Sequence, residues 1–231
     1  MSDSIISLQD VKVNSTKITI PPGGIHANSV DVLFNGLPGN VPDTYGNLVA
    51  LWQNNNSIPY GTNPKLHTPV IGNSPDGSFT FEGLDLNNNS YIIGYSVGPV
   101  LTGTGLQTYG NICATVFIPA NSNEVDPFVP TLEVMSIGTT SVSLKYFLPQ
   151  NILPKTNGAW VGIWRSAQPS YTTPPLASAP ISQDAPDSTC SINGFNIGRG
   201  LTYTIGLFTS GYVKGGVSKQ TAMAVSLTFT N

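Results

Sequence analysis

Apolar side chains recur at every second position through much of this chain. Val30, Val32 and Phe34 stand two apart, as do Val142, Leu144 and Tyr146, and again Val225, Leu227 and Phe229. A period of two sends alternate side chains to opposite faces of a strand, so that one face can be buried. Pro and Gly interrupt each stretch before three helical turns could form. The pattern therefore predicts an all-β chain. Turn clusters such as Pro75-Asp76-Gly77, Asn87-Asn88-Asn89 and Gly198-Arg199-Gly200 punctuate it. Six or seven short strands with such turns in roughly 100 residues is the spacing of an antiparallel β-sandwich.

The pattern occurs twice. With a displacement of 112 residues, Ser29–Phe34 falls on Ser141–Tyr146, and Pro42 falls on Pro154. Leu48–Gln53 falls on Trp160–Arg165, and Ser90–Tyr95 falls on Thr202–Leu207. One register thus aligns a Trp (Trp52, Trp164), a Tyr (Tyr91, Tyr203), a Gly (Gly94, Gly206) and a Pro. With a slip of one residue, Phe79–Gly83 meets Cys190–Gly194, and Ala114–Ile118 meets Val225–Phe229. The expectation is an internal duplication giving two tandem domains, residues 1–119 and 131–231, joined by a polar, proline-bounded linker at 120–130. A first strand is expected at Ile5 to Val13 in one half and Thr131 to Ile137 in the other. Lys17–Gly24 has no counterpart in this alignment, and its alternating start could be an arm that pairs with another subunit's sheet edge.

The order within each half resembles the immunoglobulin and fibronectin type III class. A strand carries a Trp (Trp52, Trp164), a long excursion follows, and a later strand carries a Tyr (Tyr91, Tyr203). The resemblance implies two tandem immunoglobulin-like sandwiches with those tryptophans in corresponding cores. The paired cysteines of antibody domains are missing, and a fold shared by so many proteins implies no single activity.

Composition narrows the partners. Charged residues make up 9% of the 231, and nine Lys and Arg stand against twelve Asp and Glu, for a net charge of −3. Average soluble chains carry roughly 25% charged residues. The surface must then be neutral and polar, which suits sugar-binding, extracellular or assembling proteins. Nucleic acid is excluded as a partner, since no basic stripe could neutralise a run of phosphates. No apolar run approaches the roughly 18 residues of a membrane helix. The first residues do not read as a signal peptide, so export, if it occurs, is expected by a leaderless route. Cys113 and Cys190 fall at non-equivalent places and are expected as buried free thiols.

Catalytic chemistry is not visible in these residues. His26 and His67 are isolated loop histidines, and no nucleophile elbow or phosphate loop occurs where a strand–helix turn could use it. Asp85-Leu86-Asn87-Asn88-Asn89 begins like a calcium loop but lacks the Gly and Glu that such a loop needs. Asp184 and Asp187 read as a solvated loop. No cofactor and no metal are expected, and the chain is not expected to be an enzyme.

Binding features are better. The segment after each Trp strand is long, polar and carries one Tyr. Candidate binding residues are Asn54, Asn55, Asn56, Tyr60 and Asn63 in the first, and Gln168, Tyr171 and Thr172 in the second. An aromatic face beside amides and hydroxyls suits a neutral sugar or a protein surface. The leading expectation is a non-enzymatic, lectin-like adhesion protein that recognises a glycan or surface protein through these repeated loops, with avidity from two sites. The alternative is a structural subunit that self-assembles with further copies of itself through the Lys17–Ile20 arm.

Overall fold

The computed structural model describes residues 9–231, and the part of the expected first strand before Gln9 lies outside them. The first half of the chain forms β1 (Gln9–Ser15), β2 (Lys17–Thr19), β3 (Ser29–Asn35), the one-turn helix α1 (Pro42–Tyr45), β4 (Leu48–Gln53), β5 (Leu66–Pro69), β6 (Asp76–Glu82), β7 (Tyr91–Ser96) and β8 (Ile112–Ile118). Then follow β9 (Asp126–Phe128), β10 (Thr131–Ile137), β11 (Ser141–Phe147), β12 (Trp160–Trp164), β13 (Ala177–Pro180), β14 (Asp187–Asn193), β15 (Thr202–Phe208) and β16 (Met223–Thr230). The fold is all-β, as the alternation predicts.

The strands form four antiparallel sheets, ordered β2-β3-β6, β5-β4-β7-β8-β9, β10-β11-β14 and β13-β12-β15-β16-β1. The strand orders of the first pair reappear in the second. So do the registers: Gly94 lies opposite Ala50 and Thr115, and Gly206 lies opposite Gly162 and Ser226.

Within each half the small sheet packs on the inner face of the large one, an arrangement compatible with a β-sandwich. Phe34 of β3 stacks on Tyr95 of β7, with ring centroids 5.1 Å apart. Ile18, Val30, Val32, Leu51, Ile93 and Val116 are fully buried in the first half, and Leu132, Val142, Leu144, Ile163, Ile205 and Leu227 in the second. Each such side chain stabilises the fold by about 1.5–3 kcal/mol.

Three sequence expectations need correction. The first concerns Trp52 and Trp164. Their registers match, opposite Ile92 and Thr204. Yet they sit one position out of phase with Leu51 and Ile163, on the outer face of their sheets, away from the three-stranded sheets. Both faces of these central strands are buried, so apolar residues run without alternation and the inner face cannot be told from the outer.

The second concerns Lys17–Ile20. Ile18 pairs with Phe34 and Leu132 pairs with Tyr146, so β2 does have a counterpart, which is β10. It is no free arm, since β3 already holds it. The third concerns the first strand. Asn14 lies opposite Ser226 as Phe128 lies opposite Thr115, so β1 corresponds to β9 and not to Thr131–Ile137. The segment read as a linker therefore contains a strand.

The two corresponding strands weave the halves together. β9 closes the large sheet of the first half, then leads through Val129 and Pro130 into β10 of the second. β1 closes the large sheet of the second half, then leads through Thr16 alone into β2 of the first. Thr16 is fully buried, and its amide donates to the Ala224 carbonyl at 3.0 Å. Cys113 is buried and Cys190 half-buried, both as free thiols.

Candidate functional site

The outer face of each large sheet is where the halves meet, and the two contacts are reciprocal. Leu37, in the turn after β3, is buried in a cluster with Trp160, Trp164, Phe208 and Met223 on the outer face of the second half. Trp160 and Phe208 stack with centroids 4.0 Å apart. The corresponding turn after β11, at Pro149 and Gln150, approaches the outer face of the first half but does not fill it.

A cleft of about 350 Å³ remains there, lined by Asn56, Ser57, Ile58, Ile92, Thr115, Phe117, Asp126, Phe128, Pro149 and Gln150. Phe117 and Phe128 are half-buried, and Asp126 and Gln150 are exposed. The sheet places the lining side chains directly: Ile92 lies opposite Phe117, Thr115 opposite Phe128, and Phe117 opposite Asp126. The floor is apolar and aromatic. Thr115 adds a hydroxyl to the floor, and the rim supplies the Asn56 and Gln150 amides, the Ser57 hydroxyl and the Asp126 carboxylate.

Direct hydrogen bonds fix the walls against each other. Asn151 Nδ2 donates to Ser57 Oγ at 3.0 Å. Gln107 Nε2 donates to the Asn151 carbonyl at 2.8 Å, while Gln107 Oε1 accepts from the Leu153 amide and from Asn157 Nδ2. Thr209 Oγ1 donates to Asn111 Oδ1 at 2.8 Å in the buried part of the junction. A site held from both sides is pre-organised, which lowers the ordering cost of binding.

The eight candidate residues fare differently. Asn56 lines the cleft. Asn54 adopts φ +58° and donates to Asn89 Oδ1, and Asn55 donates to the Gln53 carbonyl, so both amides serve the turn itself. Asn63, Gln168 and Thr172 are exposed on the loops and away from the cleft lining.

Neither loop tyrosine offers an open ring. Tyr60 is 2% exposed, and its hydroxyl donates to the Ile112 carbonyl. Burial raises its phenol well above the ordinary range. Tyr171 crosses the junction and stacks on Tyr45 at 5.3 Å. Its hydroxyl is buried with no partner, and burial raises that phenol too. The loops fold back because each covers the Trp of the preceding strand: Trp52 Nε1 donates to the Thr62 carbonyl and Trp164 Nε1 to the Thr173 carbonyl.

Among the described residues, the second half has no counterpart of these aromatic side chains. Where Ile92, Phe117 and Phe128 stand in the first half, register places Thr204, Thr228 and Asn14 in the second. Thr204 Oγ1 donates to the Ser166 carbonyl at 2.8 Å, and Thr228 Oγ1 to the Ala167 carbonyl at 3.5 Å. The second loop thus lies against the face that the first leaves open.

The sequence held a signal for the cleft residues. In Ala114-Thr115-Val116-Phe117-Ile118, Phe117 is out of phase with the inward-facing Ala114, Val116 and Ile118. A large aromatic at an outward strand position asks for a covering partner or a ligand. No protein-family model matches the chain, and no curated protein matches it.

Proposed function

We propose that this chain is a non-enzymatic recognition protein that holds a neutral, hydroxyl-rich ligand, a glycan, in the cleft between its halves. The observation that carries this reading is the lining: Phe117 and Phe128 beside Asn56, Gln150, Ser57, Thr115 and Asp126. An aromatic ring packs on the apolar C–H face of a sugar, while amides, hydroxyls and a carboxylate meet its hydroxyls. The lining divides evenly between apolar residues and groups that can hydrogen-bond, which suits a ligand with both a C–H face and hydroxyls. The low charge of the chain agrees with an uncharged ligand. The lining holds one carboxylate, whereas glycoside hydrolysis ordinarily uses two.

The two halves are read as copies of one immunoglobulin-like or fibronectin type III-like sandwich, derived by duplication. Matching strand orders and registers support this. The outward-facing Trp52 and Trp164 depart from the core Trp of that class, so the kinship rests on topology. One cleft, rather than two repeated loops, then carries recognition, and the avidity expected from paired loops is not part of the proposal.

A glycan array followed by calorimetric titration of the best-bound oligosaccharide tests it. Phe128→Ala is expected to weaken binding several-fold, because an aromatic contact contributes about 0.5–1.5 kcal/mol beyond its buried area. Gln150→Ala should also weaken it, and Thr172→Ala should not. Equal affinity in all three variants would overturn the assignment.

A further inference from the structure

We propose that the halves can part at the Val129-Pro130 connection and re-pair between copies. The first half of one chain then seats on the second half of another, carrying β1 with it as a donated strand. The partner is a second copy of this chain, and the product is a reciprocal strand-exchanged dimer.

The argument starts at β16. It is eight residues long, contains no proline, and has the sequence Met-Ala-Val-Ser-Leu-Thr-Phe-Thr. Its outer edge is covered by β1, with Lys12 opposite Thr228, Val13 opposite Leu227, Asn14 opposite Ser226 and Ser15 opposite Val225. Without β1, a long, apolar, unpaired edge would be exposed, and such an edge captures any compatible strand. β1 cannot leave its own half easily, because Thr16 alone joins it to β2 and is buried. β1 therefore travels with the first half as one body.

The other crossing is the place that can open. Register makes Pro130 the counterpart of Thr16, and both are buried, but the Thr16 amide is bonded to the Ala224 carbonyl whereas Pro130 has no amide hydrogen to give. Every bond across the junction described above joins a first-half group to a second-half group. Thr209 to Asn111, Asn157 to Gln107, Asn151 to Ser57, the Tyr45–Tyr171 stack and the β1–β16 ladder are all reformed when the two groups come from different chains. The exchanged form loses only the advantage of a tethered partner, which for short connections corresponds to about millimolar effective concentration. A reciprocal exchange closes with two-fold symmetry and leaves no strand unused. A net charge of −3 offers little repulsion between copies.

Asn14 and Ser226 are direct register partners, so Asn14→Cys with Ser226→Cys, in a Cys113→Ala, Cys190→Ser background, reports which chain supplies β1. The protein is unfolded, refolded at about millimolar and at about micromolar concentration, then oxidised and run on a non-reducing gel. Disulfide-linked dimers from the concentrated sample and intrachain-linked monomers from the dilute one are expected. If the quadruple variant does not refold, the natural sequence is refolded in the same way and sized by light scattering, where a species of twice the chain mass that survives dilution is expected. Monomers alone at both concentrations, in whichever chain refolds, would overturn the proposal.

Discussion

Gly94 of β7 lies beside Ile112 of the neighbouring strand and under Ile58 of the loop after β4. A Cβ there would stand 2.6 Å from Ile112 Cγ2 and 3.1 Å from Ile58 Cδ1. Gly94→Ala is therefore expected to destabilise the protein by about 1–3 kcal/mol through overpacking, measured by urea unfolding. Tyr171 separates ring from hydroxyl. Its buried hydroxyl has no partner, so Tyr171→Phe should leave stability unchanged or raise it. Tyr171→Ala should cost about 2 kcal/mol or more, because the stack on Tyr45 across the junction goes with it. Titration gives a third expectation. Burial pushes the Cys113 thiol from 9.0 to about 12 and the Tyr95 phenol from 10.0 to about 12. In the unfolded chain these groups ionise first, so the folded state is favoured below pH 9 and loses that advantage as pH rises toward 12. The urea midpoint should fall across that window. The sequence could name Tyr60 and Tyr171 as loop aromatics but could not say which way they point. That direction is decided by the apolar surface beneath them, over Trp52 and Trp164, which belongs to other elements.

At the level of elements, alternation located β3 and β11 because each buries one face, and β16 because Val225, Leu227 and Phe229 alternate although both of its faces are largely buried. It failed at β9, where three residues with a central proline show no period, and where pairing with β8 makes an edge strand. It also failed to give β1 its partner. Pairing of residues near 14 with residues near 226 is a long-range event that no local pattern encodes, and the longer connection between β2 and β3 than between β10 and β11 moved β1 and β2 out of the 112-residue register. β1 offers a direct test. Asn14→Pro removes a ladder amide opposite Ser226. Amide exchange should accelerate through Val225–Phe229, while β7 and β8 of the first half keep their protection. Uniform exchange in both halves would mean that β1 does not support β16.

Over the whole molecule, near-matching halves are joined so that each presses a turn onto the outer sheet face of the other. The contacts differ in size. Trp160, Phe208 and Leu37 fill one face, while Leu48, Ser96 and Pro149 hold the corresponding positions on the other. The cleft lies at the other end of the first half's outer face, at Ile92 and Phe117, where the second half has Thr204 and Thr228 bonded to the loop after β12. Of the residues singled out from sequence, Asn56 reaches it; Phe117, Phe128, Asp126 and Gln150 come from a closing strand, a presumed linker and a turn of the other half. Their convergence follows from the crossing strands, which is why loop composition alone could not reveal it. A titration with a neutral oligosaccharide selected on the array, followed by the side-chain amide signals in nitrogen–proton correlation spectra, tests the cleft most directly. The account predicts that the amides of Asn56 and Gln150 shift together, while those of Asn63 and Gln168 stay in place. Shifts gathered on Asn63 and Gln168, with Asn56 and Gln150 unmoved, would contradict it.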